Sequence, residues 1–106
     1  MKVNYQVLLA KRDVNPTLDN WKGQMAKVWS YTVSHAVLEM RIIDERNPEN
    51  YLRILCGDVE AIYGPVMWLN CHLEATETGS GMLLTDNKMS FKVHAGMIGV
   101  EEVFGG

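Results

Sequence analysis

The chain has 106 residues, 47% hydrophobic and 22% charged, with ten Lys and Arg against thirteen Asp and Glu for a net charge of −3. A chain of that length makes one domain with a modest core, burying about two-thirds of its unfolded surface. Apart from Lys11-Arg12 the basic residues are scattered, which argues against nucleic acid as a partner, because phosphate binding needs clustered Lys and Arg.

From the N-terminus, residues 2–10 alternate, with Val3, Tyr5, Val7 and Leu9 on one face, and predict a strand. This opening has no long apolar run of the signal-peptide kind, and no segment reaches the ~20 apolar residues of a membrane span. The expectation is therefore a cytoplasmic protein with no membrane partner. Residues 11–14 are charged and are expected to turn out of the sheet. Asn15-Pro16 then reads as a helix start, with Asn as cap and Pro at the first helical position. Leu18, Trp21, Met25, Val28 and Trp29 recur at steps of three and four, an apolar stripe that would lay both tryptophans across a sheet. Gly23 inside that stretch weighs against the helix by about 1 kcal/mol.

Residues 35–44 predict a second strand, with Ala36, Leu38, Met40 and Ile42 inward and His35, Glu39 and Arg41 outward. A polar turn at 45–50 leads to a strand at 51–56 with Leu52, Ile54 and Cys56 inward, so the pair reads as an antiparallel hairpin. Gly57-Asp58 breaks the run, residues 59–63 are a short extended piece, and Gly64-Pro65 turns the chain. The stretch 62–76 alternates strictly. Met67, Leu69, Cys71, Leu73 and Ala75 fall on one side, and Val66, Trp68, Asn70, His72 and Glu74 on the other. Residues 77–81 read as a loop. Strands are expected at 82–85 and 89–95, joined by a tight turn at 86–88, and a last strand at 100–104. Together these runs predict a mostly β, α+β fold: a small antiparallel β-sandwich or barrel with one amphipathic helix near the N-terminus.

Three histidines fall on polar faces of three predicted strands. If those faces converge, His35, His72 and His94 could hold Zn or Fe with Glu39 or Glu74 as a fourth ligand or base. No HxH or HExxH spacing ties them together, and three partly exposed histidines on a solvated face are the plainer alternative. Trp68, His72, Glu74 and His94 would line a ligand pocket if that face is open. If the tryptophan stripe covers it, Trp68 packs under the cover and His72 becomes an interior histidine. Cys56 and Cys71 sit in apolar patterns and are expected to be buried, inert thiols. Met25, Met40, Met67 and Met89 fall at expected core positions. Cys71 and His72 are adjacent and would point to opposite faces of a strand, so they make no nucleophile–base pair.

The chain ends Val103-Phe104-Gly105-Gly106, which over its two glycines resembles the tails of ubiquitin-like modifiers and sulfur carriers. That resemblance implies a carrier acting through the Gly106 carboxylate, although those folds carry fewer strands after their helix. The reading preferred over the metal enzyme and the carrier is a non-enzymatic module that binds a protein partner or small ligand. Exposed sheet edges leave homodimerisation open.

Overall fold

The computed structural model describes residues 7–8 and 11–105. Strand β1 (Val7–Leu8) precedes helix α1 (Lys11–Asn20) and β2 (Met25–Thr32). After a 3-10 turn at Val33–His35 come β3 (Val37–Ile43), β4 (Tyr51–Gly57), β5 (Ala61–Tyr63), β6 (Met67–Trp68), β7 (Glu74–Glu77) and β8 (Met82–Asp86). A second 3-10 turn, Asn87–Met89, leads to β9 (Phe91–Ala95) and β10 (Met97–Val103).

The strands form two antiparallel sheets, one of six in the order β1-β10-β4-β3-β2-β6 and one of four in the order β5-β9-β8-β7. The β3–β4 hairpin forms as expected, pairing Leu38 with Cys56 and Ile42 with Leu52. Alternation decides which residues each sheet contributes to the core. Leu38, Met40, Ile42, Leu52, Ile54, Cys56, Ile98 and Val100 face inward from the larger sheet, and Ala75, Met82, Leu84, Phe91, Val93 and Ala95 from the smaller. Both sets belong to one buried cluster, so the expected mostly β sandwich with one helix is the fold. Each sheet ends in edge strands, which sets aside the closed barrel. Among the described residues no helix is long and apolar enough to cross a membrane.

The helix lies earlier than its sequence suggested. It starts at Lys11, so residues 11–14 are helical rather than a turn out of the sheet. Asn15 and Pro16 sit inside it rather than at its start. Asn15 is used across the fold instead. Its carboxamide accepts from the Ala75 amide and donates to the Ala75 carbonyl, both at 2.8 Å. A side chain thus occupies the place of a further strand on the β7 edge. Val14, Leu18 and Trp21, spaced by four and three, are buried against the sheets. The helix ends at Asn20, and the turn after it is completed by Gly23 at φ +89°, a left-handed conformation that carries no penalty only for glycine. Beyond it, residues 25–29 continue as strand, so Trp21 and Trp29 do not share a helix face.

The stretch 62–76 also departs from strict alternation. Only Met67–Trp68 and Glu74–Glu77 are strand, with an irregular strap between them. Asn70 takes φ +54° and shifts the pattern by one residue. Before it Trp68 is buried while Met67 and Leu69 are exposed; after it Cys71, Leu73 and Ala75 are buried as expected. The strap is tied to the chain after the helix, with Gly23 N donating to Cys71 O at 2.8 Å and Cys71 N to Gln24 O at 2.9 Å. Of the four methionines assigned to the core, Met40 is fully buried, Met25 is half-buried, and Met67 and Met89 are exposed. The predicted strand at 2–10 falls outside the described residues except for β1.

Candidate functional site

The three histidines occupy separate parts of the molecule. His35 ends the Val33–His35 turn and is exposed, because Ala36 at φ +50° interrupts the chain before β3 begins. His72 is half-buried on the strap. His94 is on the outer face of β9, edge-on to Tyr63 with ring centroids 6.2 Å apart. Among the described residues no three His, Cys, Asp or Glu are grouped to hold a metal ion. His72 and Glu74 share a polar cleft of about 220 Å³ with Lys22, Asp86 and Lys88. His94 lines a different cleft, with Tyr63, Ser90 and Lys92. Trp68 does not line a pocket with them: it is 4% exposed and packs on Phe91, centroids 4.6 Å apart. Glu39 is on the larger sheet, bonded to Arg41 Nε at 2.8 Å.

Both cysteines are free and buried. Burial pushes the Cys56 thiol up to about 12 and the Cys71 thiol up to about 11, the latter helped by the negative charge of Asp86. Neither is a nucleophile at neutral pH. At the other end, the Gly105 amide donates to Asn50 Oδ1 at 3.0 Å, and a β-carbon there would stand 2.7 Å from Glu49 Cβ. Gly106 lies outside the described residues.

The most built surface is the outer face of the six-stranded sheet, where the alternation of residues 35–44 predicts His35, Glu39 and Arg41 and the structure keeps Glu39 and Arg41. Register puts Lys27, Arg41, Arg53 and Glu101 side by side in one row across β2, β3, β4 and β10. Like charges directly opposite one another are destabilising, so three cations in a row call for compensation. Arg41 obtains it from Glu39 and from two rings, its guanidinium 3.8 Å from the centroid of Trp29 and 4.3 Å from that of Tyr51. A bulge in β2 at Val28–Ser30 helps place Trp29 on this outer face. Arg53 Nη2 pairs with Glu101 Oε1 at 3.1 Å. That contact is one of charge, since Arg53 Nε and Glu101 Oε1 are buried without a hydrogen-bond partner among the described residues.

Beside this row is an apolar groove of about 250 Å³. Its origin is legible in the pairing. Leu55 faces Gly99 and Gly57 faces Met97 across β4 and β10, so each large outward side chain stands opposite a position with none. Val37, Leu55 and Met97 form the walls, and Arg53 and Glu101 close one end. The space depends on glycine: a β-carbon on Gly57 would come within 2.8 Å of Met97 Cγ. Met97 is 53% exposed and Leu55 37%, although both lie within paired strands. The sequence carried a signal for this site in Leu55, an apolar residue at an outward position, and in the pair Gly57 and Gly99. Comparison of the chain with protein families, curated proteins and solved structures found no match.

Proposed function

We propose that this domain is a non-enzymatic interaction module that engages a protein partner through the outer face of its six-stranded sheet. The observation that carries the reading is the groove over Gly57 and Gly99, an apolar depression on a face the core does not use. Interface hot spots are anchor side chains seated in such depressions and ringed by polar groups, and Arg, Tyr and Trp are over-represented among them. Here Arg53 lines the groove's charged end, and Arg41, with Trp29 and Tyr51 stacked on it, stands next to Arg53 in the same row. A volume of about 250 Å³ is below the ~300–1,000 Å³ of pockets for drug-sized ligands and has room for one anchor side chain. The reading takes the domain as cytoplasmic, in keeping with two free buried thiols.

The test is to fill the groove. Gly99→Leu adds a side chain opposite Leu55 at a position that lines the groove. With a melt confirming the fold, affinity purification should lose a partner that wild type retains, while Lys92→Glu on the other sheet keeps it. Co-purification unchanged by Gly99→Leu would refute the reading.

A further inference from the structure

We infer that the partner segment seated in this groove carries one large apolar side chain with a carboxylate beside it. The inference rests on the reading above and adds the partner's chemistry. A closed cavity of about 150 Å³ accepts benzene, so an open groove of about 250 Å³ takes one leucyl-to-indole-sized group and no more.

The chain as a whole is acidic at −3, yet this face sets Lys27, Arg41 and Arg53 against Glu39 and Glu101. At the groove the carboxylate is the more deeply set member of its pair, Arg53 keeping 32% of its side chain exposed against 12% for Glu101, while Arg41 and Glu39 are set alike. Lys27, at the end of the row, is exposed. A segment lying along the row therefore meets cations before it meets carboxylates.

Arg53 sharpens the assignment. It lines the charged end of the groove, spends Nη2 on Glu101 and is partly exposed, while its Nε is buried. The exposed part of a planar guanidinium is suited to a carboxylate, which it can meet beside its contact with Glu101. An anchor side chain in the groove brings its chain neighbours to this end, so an Asp or Glu next to the anchor meets Arg53.

The test uses capped tetrapeptides, acetyl-Gly-Leu-Asp-Gly-amide and its Asn and Lys counterparts, at millimolar concentration against labelled protein by amide shift mapping. The expected result is a shift confined to Leu55, Gly57, Met97 and Gly99, with the Asp peptide about fivefold tighter than the Lys peptide. Gly99→Leu should abolish binding of all three, with Gly99→Ala as the variant of smaller volume should the first fail to fold. The double variant Arg53→Gln/Glu101→Gln should keep leucine binding and lose the Asp preference. Equal affinity for the three peptides would overturn the acidic inference while leaving the groove reading in place. No groove shift from any of them would overturn both. Tighter binding by free 3-phenylpropionate than by the Asp peptide would overturn the choice of a protein segment.

Discussion

Trp68 donates its indole N–H to Asp86 Oδ2 at 2.8 Å, joining the edge strand of the larger sheet to the end of β8 in the smaller. The same oxygen accepts the His72 amide at 2.9 Å, so one buried carboxylate holds the strap at two points. Asp86 is 1% exposed, and its other oxygen has no hydrogen-bond partner among the described residues. Asp86→Ala strips two donors of their acceptor and should cost about 3 kcal/mol in urea unfolding, and Trp68→Phe about 1–3 kcal/mol. A double-mutant cycle should show strong coupling between them. Additive losses would mean that the bond contributes little and that packing of Trp68 on Phe91 dominates.

The thiols set an alkaline limit to stability. Cys56 and Cys71 ionise less readily in the folded chain than at their ordinary value of 9.0. The folded state therefore holds the protons more tightly, and the stability this provides is complete below pH 9 and fades as pH rises toward 11 and 12. Between those limits each thiol should impose a slope of about 1.4 kcal/mol per pH unit. Urea melts of wild type and Cys56→Ala across this range check it. Equal slopes would show that Cys56 is not the group responsible. Below pH 8 neither thiol should react with iodoacetamide until the protein unfolds.

Arg41 stabilises the outer face through its bond to Glu39 and its place between Trp29 and Tyr51. Arg41→Ala should cost about 1–2 kcal/mol and alter Trp29 emission. Arg41→Lys should recover only part of the loss, because an ammonium cannot lie flat on both rings. A full rescue by lysine would reduce the stack to a simple charge effect.

The sequence showed the sheets well and their interruptions poorly. Strands with strict alternation, such as β3 and β4, were legible because period two survives burial on one face. The strap was misread at Asn70, where one left-handed residue reverses the phase of everything before it. Asn70→Gly should therefore leave stability within a few tenths of a kcal/mol, whereas Asn70→Val should cost about 1–2 kcal/mol. The helix was displaced because periods of three and four continue through Met25 and Val28, although it had already ended at Asn20, before the turn that Gly23 completes. Asn15 looked like a cap because asparagine caps helices; its real partner, Ala75, is distant in sequence. The histidines shared predicted polar faces, but a face fixes no distance, and His35 falls in a 3-10 turn, His72 on the strap and His94 on the outer face of β9. The groove escaped notice because it is made by glycines, whose contribution is the absence of a side chain.

The most direct test of the central claim is site-specific photocross-linking in cells. A photoreactive amino acid at Leu55 probes the groove wall, and one at Lys92, on the outer face of the smaller sheet, serves as control. A discrete adduct from position 55 with none from position 92 is the predicted result. An adduct from 92 alone, or none from 55 while the variant folds normally, would contradict the assignment of the larger sheet's outer face as the interaction surface.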